Sequence, residues 1–116
     1  MTAQEIFNRV ARHLLDQGER SATDGGCLYR GPRGLSCAVG CLLTDADYQP
    51  NMEGEAFNAI VRLWLGKDHP LAAHTDLLCE LQGIHDSGDP KQWAWHLSVA
   101  GQRRGLSLDV IEERER

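Results

Sequence analysis

The sequence predicts an α+β fold in which four main helices pack on a small antiparallel hairpin or three-stranded sheet. Four segments carry apolar residues at helical spacing, and three of them open with a capping residue or a proline. A Gly-Pro-Arg-Gly turn separates two short runs that are typical of strands. The apolar stripes extend along all 116 residues, which favours one hydrophobic core. We therefore predict one compact domain over residues 1–116, with 112–116 as a frayed charged tail.

The first helix has the clearest start and end. Thr2 can cap it, and Glu5, three positions later, completes a capping box. Gly18 is the expected stop. Between these residues, an apolar stripe recurs at helical spacing: Ile6, Phe7, Val10, Ala11 and Leu14. The polar residues between them predict a helix that packs through one face only.

A hairpin is predicted after the first helix. The runs 27–30 and 35–37 are typical of short strands, and they flank the turn 31–34, where Pro32 fixes φ and the glycines permit positive φ. The apolar run 37–43 is too short to assign by its period. We favour a short buried helix capped by Ser36, because two short strands seldom stand without an element that covers them.

Three more helices are predicted in the second half of the chain. The second lies between Ala56 and Gly66, the third opens at Pro70 and stops at residues 87–88, and the fourth opens at Asp89 with a proline in its first turn. Beyond the fourth helix, a short alternating pattern favours a third strand at Leu106, Leu108 and Val110.

Composition excludes several classes of protein. The formal net charge of −5 disfavours direct binding to nucleic acid, which relies on clustered Lys and Arg. The N-terminus has no basic segment followed by an apolar run, and no run of roughly eighteen residues is apolar, so neither export nor membrane insertion is predicted. We expect a cytoplasmic protein whose cysteines are reduced: Cys27, Cys37, Cys41 and Cys79.

The predicted binding residues are Tyr29, Arg30, Arg33 and Trp95. The first three place an aromatic ring and two guanidinium groups around one turn, which suits a phosphate or carboxylate. The alternative is that Arg30 pairs with an acidic neighbour and holds the turn together; the candidates are Asp24, Asp45 and Asp47. Trp95 falls away from the apolar stripe of its helix, so it is predicted as an exposed anchor for a protein partner; the alternative is that a neighbouring loop partly buries it.

We expect no catalytic site and no metal. The catalytic alternative uses Cys37 as a nucleophile at the start of its short helix, with His85 as base and Asp86 nearby. Cys41 is the other candidate nucleophile. Against catalysis, Cys41 and its apolar neighbours are predicted to be core, and a buried cysteine usually behaves as a small hydrophobe. A zinc site would draw on the four cysteines and His85, but their spacing does not match the paired spacing of structural zinc motifs.

Two segments and the N-terminus resemble a family of small proteins encoded by bacteriophages and prophages. The first segment is Cys27-Leu-Tyr-Arg-Gly-Pro-Arg-Gly-Leu-Ser-Cys37-Ala-Val-Gly-Cys-Leu-Leu43, and the second is Leu81-Gln-Gly-Ile-His-Asp86. The opening Ala3-Gln-Glu-Ile-Phe7 is also similar. The resemblance implies a phage or prophage origin and action in the cytoplasm of a bacterial host, but it implies no particular activity.

Small phage proteins are often accessory factors that block or divert host machinery. We therefore expect a non-enzymatic phage accessory protein, of the anti-defence type, that binds and inhibits a host or defence protein without a cofactor. The first alternative is a pocket protein for a nucleotide-like or other anionic small molecule, with Tyr29, Arg30 and Arg33 at its mouth. The second alternative is an enzyme with a cysteine nucleophile.

Overall fold

The computed structural model describes residues 1–115. Helix α1 spans Ala3–Gln17 and begins at the predicted capping box, in which the Thr2 hydroxyl accepts from the Glu5 amide and the Glu5 carboxylate accepts from the Thr2 amide. Gly18 ends the helix in the left-handed conformation, at φ 70°. The predicted stripe is buried throughout: Ile6, Phe7, Val10, Ala11 and Leu14. The prediction for this helix is confirmed.

The sheet is smaller than predicted and lies earlier in the chain. Strand β1, Ala22–Thr23, pairs antiparallel with β2, Gly26–Cys27, so only Cys27 of this sheet lies in a run that the sequence predicts as a strand. The predicted strands at 27–30 and 35–37 form a single bridge, between Arg30 and Ser36. A longer ladder would need the amides of Tyr29 and Leu35, but these donate to Glu53 and to the Pro32 carbonyl instead. Glu53 also accepts from the Arg30 amide, and Gln17 accepts from the Ser36 amide.

The segment 37–43 is buried as predicted, but it is not an α-helix. It forms turns and a short 3₁₀ helix, Gly40–Leu42. Ser36 does not cap this helix, since its hydroxyl lies 3.1 Å from Nε2 of His13 on α1. A Cβ on Gly40 would lie 1.9 Å from the Tyr29 carbonyl oxygen, so the two backbone segments meet where only glycine fits.

The other three main helices form where the sequence predicts them. Helix α2, Phe57–Ile60, continues as a π-helical turn over Val61–Leu65. Helix α3, Thr75–Ser87, follows a 3₁₀ segment that opens at Pro70. Helix α4, Trp93–Arg103, follows a short 3₁₀ turn that the Asp89 carboxylate caps.

The predicted third strand is wrong. Leu106 and Leu108 pack half-buried against the core, and the chain then forms a short helix α5, Asp109–Glu112. Local partners take the amides a strand would need: the Leu106 amide donates to the end of α4, and the Ser107 amide donates to Gln4. A turn at Glu113–Glu115 follows, and its Arg114 pairs with Asp16 of α1. Arg116, the end of the predicted frayed tail, lies outside the described residues.

The core is shared by all five helices. Helix α1 contacts α3, α4 and α5, and α3 also packs against α2 and α4. The largest fully buried side chains include Phe7, Phe57, Leu78, Leu81, Trp93, Leu97 and Ile111. Four main helices with a small antiparallel sheet make this an α+β domain, as predicted. Across residues 1–115, no helix combines the length and apolar character of a bilayer span.

Candidate functional site

The turn that carries Tyr29 and Arg30 is already occupied by a carboxylate of the protein itself. Glu53 accepts from the Tyr29 amide at 2.7 Å and from the Arg30 amide at 3.1 Å. It also accepts from the Tyr48 hydroxyl at 2.7 Å. Burial, together with this hydrogen bond, raises the pKa of Tyr48 to about 12. The position at which the sequence predicts an external anion is therefore filled from within.

Arg30 also finds its partners inside the domain. Its guanidinium lies 2.9 Å from Asp45, donates to the Leu43 carbonyl at 3.3 Å, and stacks 4.4 Å from the centre of the Tyr48 ring. Asp45 is one of the acidic neighbours that the sequence offered as an alternative partner. The arrangement joins the turn to residues 43–48, so Arg30 has a structural role.

Tyr29 and Arg33 do not converge with Arg30 on an open site. The Tyr29 ring is buried, and its hydroxyl donates to the Glu55 carbonyl. Arg33 extends outward in the left-handed conformation, at φ 58°, and pairs with Glu19 at 2.7 Å. The pair is exposed and contributes little stability. Of the three, only Arg33 is freely accessible to a partner.

His85 is fully buried, and both of its ring nitrogens have partners. The Ser21 amide donates to Nε2 at 3.0 Å, so Nε2 carries no proton. The ring proton is therefore on Nδ1, which donates to Asp86 at 2.7 Å. The ring also stacks on Trp93, with centroids 5.6 Å apart. This geometry anchors the loop before β1 to α3, and it leaves no nitrogen free for proton transfer.

Cys37 does not join His85 in a catalytic pair. Among the described residues there is no hydrogen bond between them, and the Cys37 sulfur accepts from the Gly40 amide at 3.3 Å. Burial raises the pKa of the Cys37 thiol to about 12, and burial raises that of Cys41 to about 12 as well. Both thiols are therefore protonated near neutral pH, whereas a nucleophile needs a thiolate.

The donor atoms of Cys27, His85 and Asp86 lie within 4.8 Å of one another, and this is the one such group in residues 1–115. A metal would need a free His85 nitrogen and a Cys27 thiolate. The Ser21 amide and Asp86 use both nitrogens, and burial followed by the charge of Asp86 raises the pKa of the Cys27 thiol. The geometry favours a hydrogen-bonded anchor over a metal centre.

Asp86 is the ionised member of this cluster. Burial by itself would raise the pKa of its carboxyl group, but hydrogen bonds from His85 and Gln82 outweigh that effect and hold the pKa below its ordinary value of 3.8. Both hydrogen bonds end on Oδ1, at 2.7 and 2.8 Å. Gln82 is itself oriented by the Val39 amide, which donates to its side-chain oxygen at 3.0 Å. The carboxylate is therefore held in a defined position.

A cleft of about 560 Å³ opens beside this carboxylate. Its walls are the segments 25–29 and 54–57 and one face of α3, formed by Cys79, Gln82, Gly83 and Asp86. Sequence reasoning missed this site. The signal was available in the spacing, because four small or polar residues at i, i+3, i+4 and i+7 share one side of a helix.

Trp95 is exposed, as its position on the helix predicts. It is 65% exposed, and Val99, one turn further along α4, is 40% exposed. Helix α4 itself contains no acidic residue; Lys91 precedes it, and Arg103 closes it and pairs with Glu80 of α3. The Trp95 ring lies edge-on to His96, with centroids 5.0 Å apart. We refer to Lys91, Trp95, Val99 and Arg103 as the α4 face.

The structure thus has four candidate sites. Two have their polar groups already bound within the domain: the turn at Tyr29 and Arg30, and the cluster of Cys27, His85 and Asp86. The other two are accessible: the cleft beside Asp86 and the α4 face. None of them can be interpreted by comparison with a known protein. No protein-family model, no curated protein and no solved structure matches the chain.

Proposed function

We propose that this chain is a non-enzymatic accessory protein of a phage or prophage, and that it binds and inhibits a protein of the bacterial host or of its defence systems through the α4 face. The exposure of Trp95 carries the proposal. A tryptophan that is 65% exposed leaves a large apolar surface in water, and such residues are frequent anchors of protein interfaces. The resemblance to phage proteins supplies the setting in a bacterial cell.

The rigidity of α4 supports this role. Its inner side is buried through Trp93, Leu97, Ala100 and Gly101, so the helix is fixed on the domain. Trp95 is thus presented from a rigid support, which reduces the entropy that binding costs. An aromatic anchor on such a support is typical of the centre of an interface.

Charge indicates the kind of partner. Lys91 and Arg103 lie at the two ends of the α4 face, and Arg104 follows; Glu80 offsets the two arginines only in part. The face is therefore apolar and basic, although the whole chain carries a net charge of −5. We expect a protein partner with an apolar pocket that receives Trp95 and with carboxylates at its rim.

The alternatives have less support. An anionic ligand at Arg30 would have to displace Asp45 from the guanidinium and Glu53 from the neighbouring amides. A cysteine enzyme would have to ionise a buried thiol whose pKa is raised, and both ring nitrogens of the predicted base, His85, already have partners.

A pull-down tests the proposal. The tagged protein is incubated with a nuclease-treated lysate of the bacterium that carries the gene, next to Trp95→Ala and two comparison variants. Leu63→Ala is the matched control, because Leu63 is 57% exposed and lies on a different helix. Arg33→Glu tests the turn. All three variants should keep the fold, with the free energy of unfolding changed by less than about 0.5 kcal/mol.

The captured protein is then purified and titrated calorimetrically. We expect Trp95→Ala to weaken its binding at least about 30-fold and Leu63→Ala to leave it within about twofold, as for an anchor and a distant residue. The activity of the partner should fall in proportion to the bound protein. Equal binding by Trp95→Ala and Leu63→Ala contradicts the proposal. So does a homodimer that Trp95→Ala converts to a monomer, because a second copy would then cover the α4 face.

A further inference from the structure

We infer that the cleft beside α3 binds a small organic cation, namely a primary ammonium or guanidinium group on an apolar frame, with Oδ2 of Asp86 as its counter-ion. This site is separate from the α4 face. It rests on the cleft itself, on the charge of its lining, and on a glycine in the middle of α3.

The charge of the lining selects the ligand. Asp86 and Glu55 line the cleft, and no Lys or Arg does so among the described residues. Arg20 lies close enough to Cys27 to oppose the rise of its pKa, but its guanidinium donates to the Gly88 carbonyl at 2.8 and 3.2 Å. Asp86 has no Lys or Arg partner within residues 1–115. An anionic ligand would meet uncompensated negative charge, whereas a cation would neutralise it.

The Asp86 carboxylate is positioned to accept a hydrogen bond from a cationic ligand. Its Oδ1 receives the hydrogen bonds from His85 and Gln82, whereas none of the hydrogen bonds among the described residues ends on Oδ2. The Cys27 thiol interacts with the carboxylate and helps to lower its pKa. The Asp86 side chain is 41% exposed and lines the cleft. The Cys27 thiol beside it is neutral near pH 7, because burial and Asp86 raise its pKa. The carboxylate is therefore the charged group that a cation would meet, and it is held in place before binding.

The apolar part of the ligand would contact Leu28 and Ala56, the two more accessible apolar residues of the lining; Tyr29 and Phe57 also line the cleft but are buried. The volume of about 560 Å³ falls within the range of small-molecule sites. A polar group at one end and an apolar wall at the other define a ligand with a charged head and a hydrocarbon body.

Gly83 is an independent indication that this wall is kept open. Glycine inside a helix is unfavourable compared with alanine, and here packing does not require it, since a Cβ on Gly83 would meet no atom within 4 Å. The missing side chain lies on the cleft wall, between Cys79 and Asp86. Gly83→Leu should therefore keep the helix and fill the cleft.

The inference is tested with four probes of graded charge: phenethylamine, agmatine, the neutral 2-phenylethanol and the anionic phenylacetate. Backbone amide chemical shifts of residues 25–29 and 82–86 are followed by NMR during titration at pH 7. We expect the two cations to shift these amides with Kd values on the order of millimolar, as for small fragments. The two other probes should bind at least about tenfold more weakly.

Two variants and a control locate the site. Asp86→Asn should weaken binding of both cations at least about tenfold, since it removes the charge and keeps the shape. Gly83→Leu should abolish binding of all probes, while Leu63→Ala binds as the parent does. A capped Gly-Arg-Gly peptide that binds more tightly than agmatine would identify a peptide as the source of the cation.

Three results overturn the inference. The first is that neither cation shifts the cleft amides at about 20 mM, a concentration that saturates a millimolar site. The second is that 2-phenylethanol or phenylacetate binds as well as phenethylamine. The third is that folded Asp86→Asn binds the cations as the parent does.

Discussion

The turn at Tyr29 and Arg30 and the α4 face differ in whether their side chains bind other parts of the domain or remain exposed to solvent. Both place aromatic and cationic side chains near the surface, and both are predicted binding regions on the sequence. At the turn, Glu53 accepts hydrogen bonds from the backbone amides of Tyr29 and Arg30. The Arg30 guanidinium pairs with Asp45 and donates to the Leu43 carbonyl. On the α4 face, Trp95 remains 65% exposed.

The difference lies in what surrounds each region. The turn is crossed by residues 43–53, which bring two carboxylates to it, so its polar groups hold the domain together. Helix α4 uses its inner side for the core, and no described element packs over Trp95. Whether a chemically suitable residue is available for binding therefore depends on its internal partners more than on its type. Four variants test the internal contacts on which this contrast depends, and each has its own comparison.

Gly40→Ala should have the largest effect. The new Cβ would lie 1.9 Å from the Tyr29 carbonyl oxygen and 2.8 Å from its carbonyl carbon, so one of two backbone segments must move. We expect a loss of at least about 4 kcal/mol in the free energy of unfolding, or no folded protein. The measurement is urea denaturation. As control, Gly83→Ala should be stabilising by about 0.5–1 kcal/mol. Similar midpoints for the two variants would show that the segments are not in tight contact.

His85→Ala removes the link between α3 and the loop before β1. It leaves the Ser21 amide without its partner and a cavity beside Trp93, so we expect a loss of about 3 kcal/mol. His74→Ala is the control, because its hydrogen bond to the Met1 carbonyl is exposed and should matter by less than about 0.5 kcal/mol. A small effect of His85→Ala would instead mark the residue as functional.

Glu53→Ala tests whether the turn is an anion site filled from within. It removes the acceptor for the Tyr29 and Arg30 amides and for the Tyr48 hydroxyl, so we expect a loss of about 2 kcal/mol. Inorganic phosphate should then raise the melting temperature of the variant more than that of the parent, at matched ionic strength. If phosphate acts equally on both, the vacated turn does not bind anions.

Lowering the pH should reduce the stability that the Asp86 cluster contributes to the fold, and it should leave the structure of the α4 face unchanged. Because the pKa of Asp86 is held below its ordinary value of 3.8 in the folded protein, its ionised form contributes stability above about pH 4, and this contribution is lost as the pH falls through the folded value. The stability difference between the parent and Asp86→Asn should be largest at pH 7 and should narrow towards pH 3. A difference that is constant with pH would contradict the assignment.

The resemblance segments acquire a structural explanation from these contacts. In the first, Gly40 permits the close approach to Tyr29, and the Val39 amide donates to Gln82 of the second. In the second, Gln82 and His85 position Asp86. The two segments meet in space at the hydrogen bond between the Val39 amide and the Gln82 side chain.

The sequence by itself determined the α+β class, the four main helices and the outward position of Trp95. These features follow from local rules: apolar spacing, the Thr2 capping box, the Asp89 cap and the left-handed Gly18 depend on neighbours a few residues away. The third strand failed because a short alternating pattern around Leu106 does not distinguish a strand from an extended segment whose amides bind Gly101 and Gln4.

Only the tertiary structure decided which polar groups are free. Glu53 is 24 residues from Tyr29, and Ser21 is 64 residues from His85, and no local pattern predicts that such pairs will meet. Hydrogen-bond donors and acceptors are satisfied by whichever group the packing of the helices brings within about 3 Å. For the same reason the spacing of Cys79, Gln82, Gly83 and Asp86 indicates only one wall of the cleft, because the other walls come from two separate segments of the chain.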